Sequence, residues 1–298
     1  MKKKALLSRR SVLQTAGLGM VGAWVAPALA ADKPQDEPSK PKGNIKQSIC
    51  QWCYGNIPLE KLAAEAVKIG YKSIELLTID QCKTIKPFGL TCAMIRCKSI
   101  SDGLNRKENH DWIEKELRTN IEFAAEEGLP NVICMSGNRP SNLTDDKGLS
   151  DEEGLENCAI GLKRVVGLAE EKKVTICMEG LNSKVDHKDY MYDYTKWGVA
   201  LVKKVGSPRF KLLYDIYHMQ IMEGDVIRTI QNDKEYIAHF HTGGVPGRHE
   251  IDETQELHYP AIVKAILDTG YTGYLGQEFI PKREPIQSLA QGFRICDV

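Results

Sequence analysis

Apolar and polar positions alternate along the chain with two different periods. Short runs of apolar and β-branched residues fall at Ile45–Cys50, Ser73–Leu76, Thr91–Ile95, Asn131–Met135, Val174–Met178, Lys211–Tyr214, Ile237–Phe240 and Tyr271–Gly276. Each has the length of a strand. Between most of them the spacing turns helical. Pro58 to Ile69 sets Leu59, Leu62, Ala63, Ala66 and Val67 three and four residues apart, and Trp112 to Glu126, Leu155 to Glu171, Tyr194 to Lys204 and Ala261 to Leu267 repeat the pattern. The weakest helix is Thr78 to Lys83, and Gly70, Gly128 and Gly270 stand where three helices should stop. Eight strands alternating with helices predict an α/β fold with a parallel sheet under helical cover. About 250 residues after Asn44 suit a (β/α)8 TIM barrel in one domain, 44–298. An open doubly wound sheet is the competitor, but Gly55 and Asn56 follow the first strand where that fold would place G-x-G-x-x-G.

In such a barrel the chemistry collects at the C-terminal ends of the strands. The fifth to eighth apolar runs close on Glu179, Asp215, His241 and Glu278, at intervals of 36, 26 and 37 residues, each compatible with one strand–helix unit. Any one of them alone reads as a helix cap or a hydrogen-bonded core residue. Four at consecutive strand ends would converge on one rim, where three carboxylates need a compensating cation. Three oxygen donors and one imidazole suit one divalent metal, Mn²⁺ or Mg²⁺ first, with Co²⁺ and Zn²⁺ also compatible. His218, three residues past Asp215, is placed to touch a bound hydroxyl. Arg248, in the Gly- and Pro-rich loop Gly243–Glu250, is placed to grip a carboxylate. Trp52, with Tyr54, is expected to wall the pocket. Glu75 closes the second strand between apolar neighbours and reads as a hydrogen bonder within the barrel rather than a ligand.

The first thirty residues read as an address. Lys2, Lys3, Lys4 and the pair Arg9-Arg10 precede an uncharged stretch, Ser11 to Ala31, in which Ala28-Leu29-Ala30 offers a cleavage site. The paired arginines resemble a twin-arginine export signal over 1–30, which implies a periplasmic protein with no stable membrane partner once cleaved. Residues 31–43, rich in Pro, Lys, Asp and Glu, read as a flexible linker. Without the signal the chain carries 35 basic and 40 acidic residues, which gives no electrostatic reason to expect nucleic acid. The nine cysteines are odd in number; Cys92, Cys134 and Cys177 read as small buried hydrophobes, and Cys50-x-x-Cys53 has no second pair to complete a zinc site.

Five segments then carry a resemblance: Ser48-Ile-Cys-Gln-Trp-Cys-Tyr54, Gly103-Leu-Asn-Arg-Lys-Glu-Asn-His110, Met135-Ser-Gly-Asn-Arg139, Met178-Glu-Gly-Leu-Asn182 and Val245-Pro-Gly-Arg-His-Glu250. They resemble the hydroxypyruvate isomerase family of the xylose-isomerase-like barrels. The resemblance implies metal ligands at Glu179, Asp215, His241 and Glu278, acid/base catalysis by Glu179 and Glu278, and substrate binding by His218 and Arg248. It implies proton transfer α to a carbonyl, through an enediolate, on a small keto-hydroxy acid or sugar. His241 stands where the isomerase branch tends to carry Gln and the epimerase branch His, and His258 where Asn is usual. An exported ketose 3-epimerase or isomerase of keto-sugars is therefore the rival reading. A non-catalytic carbohydrate-binding barrel is a further one, and a nuclease of the endonuclease IV type would need more histidines at strand ends. Self-association into a homo-oligomer is left open.

Overall fold

The computed structural model describes residues 41–140 and 148–298. The expected export signal and linker lie outside the described residues, except for Pro41, Lys42 and Gly43. The last two are tied down: the backbone N–H groups of Lys42 and Gly43 donate to the carboxylate of Asp297 at 2.7 and 2.9 Å.

Among the described residues, seven strands form one wholly parallel sheet: β1 Lys46–Cys50, β2 Ser73–Glu75, β3 Asn131–Cys134, β4 Thr175–Glu179, β5 Phe210–Asp215, β6 Ile237–Thr242 and β7 Tyr274–Gln277. Their order is β2-β1-β7-β6-β5-β4-β3. Thr91–Ile95, expected as a strand, fills the gap between β2 and β3 by isolated parallel bridges, Ser73 to Thr91, Leu77 to Ile95 and Ile95 to Val132. Side chains have taken over part of its ladder. The Ala93 N–H donates to Ser73 Oγ at 2.9 Å, and the Ala93 carbonyl accepts from Asn131 Nδ2 at 2.9 Å. The barrel closes, with backbone polarity satisfied by a different route.

The helices are α1 Leu59–Ile69, α2 Ile79–Ile85, α3 His110–Glu127, α4 Asp151–Lys163, α5 Val166–Lys172, α6 Thr195–Val205, α7 Ile216–Met222, α8 Val226–Asp233, α9 Tyr259–Asp268 and α10 Pro285–Cys296. The weak helix after β2 forms because Thr78 and Gln81 cap it reciprocally. The single helix expected over Leu155–Glu171 is two, broken where Val165 leaves the helical region at φ −124°, ψ −21°. There the N–H groups of Arg164 and Val165 bond the carbonyls three residues back, of Gly161 and Leu162, at 3.2 and 3.1 Å. Tyr271, expected to open the last strand, instead stands in the turn before β7, where its hydroxyl donates to the carbonyls of Ala238 and Tyr274. Residues two apart share a strand face. On β6 that sends His239 and His241 to one face, while Phe240 lies edge-on to Tyr214 and Tyr271.

Candidate metal centre and active site

All four expected ligands arrive at one place. Glu179 and Asp215 are the last residues of β4 and β5, His241 is the last but one of β6, and Glu278 follows β7 directly. Asp215 and His241 are ladder partners, and the Glu278 N–H donates to the Thr242 carbonyl at 3.1 Å. The four side chains are buried, with ligand atoms all within 4.8 Å of one another.

The charges offset each other. His241 Nδ1 lies 2.8 Å from Glu278 Oε2 and 3.3 Å from Glu179 Oε1. Arg248 Nη2 lies 2.8 Å from the same Glu278 oxygen and 3.4 Å from Asp215 Oδ2. Trp52 Nε1 donates to Glu278 Oε1 at 2.7 Å. Burial alone would raise the Glu278 carboxyl, but Arg248 and His241 outweigh it and hold the group well below the usual range. Burial and the neighbouring Glu278 charge push Glu179 up. Asp215 is pushed up by burial against the pull of Arg248. Two adjacent carboxyls are thus driven to opposite protonation tendencies, a pattern suited to acid–base work.

The donor set fits a divalent cation. It offers three carboxylates and one imidazole, and Glu278 Oε2 is buried beside two cationic side chains without a hydrogen bond of proper geometry to either. Asp215 spends Oδ1 on the N–H groups of Tyr217 and His218, at 2.8 and 3.3 Å, which leaves Oδ2 for the centre.

The expected substrate residues flank this group. His218 is buried and accepts at Nδ1 from the Asn182 N–H at 3.1 Å, so the proton sits on Nε2. Among the described residues that Nε2 has no hydrogen-bond partner, its nearest carboxylate being Asp215 Oδ2 at 3.6 Å, and Arg248 Nε has none either. Burial and the Arg248 charge hold His218 well below the usual histidine range, hence neutral. Arg248, in a left-handed conformation at φ +58°, lies between the rings of Trp52 and Tyr217 at 5.1 and 5.3 Å. Its loop is fastened to the chain after β7, since the Ile280 N–H donates to the Arg248 carbonyl. Tyr54 does not wall the pocket as expected: it is buried edge-on against Phe279, with its hydroxyl turned to the Phe279 carbonyl at 3.5 Å.

A cavity of about 570 Å³ opens over the centre, lined among others by Trp52, Ile133, Met135, Glu179, Arg248 and Glu278, with Arg96 and Lys98 on its wall. Glu179 and Glu278 face this space, whereas Asp215 and His241 are not among its lining residues. Sequence reasoning missed His187, which also lines the cavity, and Asn182, which sets the His218 tautomer. Asn182 lay within a recognised segment, but nothing local distinguished it from a loop residue.

The chain belongs to the xylose isomerase-like TIM barrel family, whose model matches residues 63–296. It is 25% identical over 241 residues to a putative hydroxypyruvate isomerase of Homo sapiens, covering 80% of each chain. It is 29% identical over 244 residues to a 2-oxo-tetronate isomerase of Cupriavidus necator, covering 75% of this chain and 87% of that one. Among solved structures, an AP endonuclease, family 2, from Brucella melitensis superposes with TM-score 0.70 at 22% identity, covering 83% of this chain and 96% of that one. This last likeness is one of fold.

Proposed function

We propose that the chain is a divalent-metal-dependent isomerase of the aldose–ketose type, moving a proton α to a carbonyl on a small keto-hydroxy acid or sugar. The observation that carries this reading is the division within the four-residue group: Glu179 and Glu278 line the cavity, and Asp215 and His241 stand behind them. The relatives' names support the same class.

Glu179, Asp215, His241 and Glu278 would hold the metal, which when bound supplies Lewis-acid polarisation of substrate oxygens. Glu278, kept ionised and aimed by Trp52 and Arg248, accepts the proton from carbon. Glu179, facing the same cavity, returns a proton at the neighbouring carbon or manages the hydroxyl proton. The Nε2–H of His218 holds a substrate oxygen, and Arg248 holds a carboxylate where the substrate has one. For a three-carbon acid this is hydroxypyruvate to tartronate semialdehyde.

Two observations favour a second reading, a ketose 3-epimerase or keto-sugar isomerase. The ligand set contains an imidazole at His241, and the cavity of about 570 Å³ has room for more than a three-carbon acid. The basic and uncharged segments before Ala31 support action after export by the twin-arginine route.

The test is wild type and Glu278→Gln incubated in D₂O with hydroxypyruvate, tartronate semialdehyde, ketohexoses and 3-keto-sugars, with Mn²⁺ or Mg²⁺. Wild type should exchange the α-proton of its substrate and the variant should not. Equal exchange by both removes Glu278 from the chemistry. Elemental analysis should find about one divalent ion per chain, lost in Asp215→Ala; active, metal-free wild type would sink the metal reading.

A further inference from the structure

His241 belongs to two buried clusters at once. One is Glu179, Asp215, His241 and Glu278; the other is Cys50, Glu75 and His241. They share a residue but not a nitrogen. Nδ1 faces Glu278 and Glu179, while Nε2 lies 2.7 Å from Glu75 Oε1 and 3.7 Å from Cys50 Sγ. An imidazole that ligates through one nitrogen keeps its proton on the other, and the acceptor found there decides which is which.

Glu75 is built into that place. It is completely buried, and its Oε1 also meets His239 Nε2 at 2.8 Å. His239 therefore holds the carboxylate from a second side. The neighbouring strand makes room: His241 is paired with Gly276, where a Cβ would lie 2.7 Å from His241 Cδ2 and 3.0 Å from Glu75 Oε1.

We infer that Glu75 is a positioning residue for the metal centre, fixing the proton of His241 on Nε2 so that Nδ1 faces Glu179, Asp215 and Glu278. The inference rests on the metal reading of that group. It has a consequence for metal choice. The Nδ1 face offers carboxylates, which suit hard cations such as Mn²⁺ and Mg²⁺. The Nε2 face would add the Cys50 thiol, which suits soft ones. By occupying Nε2, Glu75 closes the soft face.

Cobalt distinguishes the faces, because a thiolate ligand adds a charge-transfer absorption that carboxylates and imidazole do not. Chelator-stripped full-length wild type, Cys50→Ser and Glu75→Gln are titrated with Co²⁺. Wild type should bind one Co²⁺ without that absorption, and Cys50→Ser should give the same spectrum and affinity. Glu75→Gln should bind 10–100-fold more weakly, on the scale of lost outer-shell partners. A thiolate band in wild type that disappears in Cys50→Ser overturns the inference, and so does a Glu75→Gln affinity within threefold of wild type. The wild-type and Cys50→Ser spectra decide the matter even where Glu75→Gln does not fold. Failure of wild type to take up Co²⁺ at all would count against the metal reading itself and remove the inference with it.

Discussion

Gly276 on β7 stands opposite His241 on β6, and the hydrogen in place of a side chain leaves the space that the imidazole and Glu75 occupy. Gly276→Ala should therefore displace His241 rather than simply fill a void. Overpacking of this kind costs about 1–3 kcal/mol. Thermal unfolding should show a lower Tm, and Mn²⁺ affinity should fall in the same variant. An unchanged affinity would mean the ring has another way to reach the ligand group.

Trp52 is 44% exposed, yet its indole N–H fixes Glu278 Oε1 at 2.7 Å. Trp52→Phe keeps an aromatic, though smaller, ring beside Arg248 and removes the bond. Stability should fall by about 1–3 kcal/mol, because the buried Glu278 oxygen loses a donor. The value of kcat/KM should drop by about tenfold, the equivalent of about 1.4 kcal/mol of transition-state stabilisation. Steady-state kinetics beside a denaturation curve separate the two effects.

Arg248 is the guanidinium paired with both Asp215 and Glu278. Arg248→Met leaves three buried carboxylates facing one histidine, and breaking a buried pair costs about 3–5 kcal/mol. A bound cation compensates the same charges. The rise in Tm on adding Mn²⁺ should therefore be larger for Arg248→Met than for wild type; differential scanning calorimetry with and without metal measures it.

Asp252 accepts from the Thr254 N–H and hydroxyl at 3.1 and 2.7 Å and from Arg283. Burial opposes ionisation, but these donors win and lower its carboxyl to about 2. A carboxyl held lower in the folded than in the unfolded state binds fewer protons when folded. Its contribution is thus full above about pH 4 and lost as the pH falls from about 4 to about 2. Arg283 is half exposed, so screening limits the contribution to about 1–2 kcal/mol. Urea titrations should show Asp252→Asn less stable than wild type at pH 6, with the gap narrowing below pH 4.

What the sequence determined by itself was periodic. Strand and helix repeats are local, so the alternation behind the barrel could be read from apolar spacing, and the barrel's rule about strand ends pointed to Glu179, Asp215, His241 and Glu278. Thr91–Ile95 shows the limit: its composition is that of a strand, but Ser73 and Asn131, distant in sequence, supply the hydrogen bonds that a regular ladder would have used. Tertiary structure also decided the direction of each polar atom. Glu75 and Glu179 both close strands, yet Glu75 meets His241 at Nε2 and Glu179 meets it at Nδ1. Which nitrogen faces which carboxylate depends on the register of β2, β1, β7, β6, β5 and β4 around a closed barrel, and no local pattern in the chain encodes that.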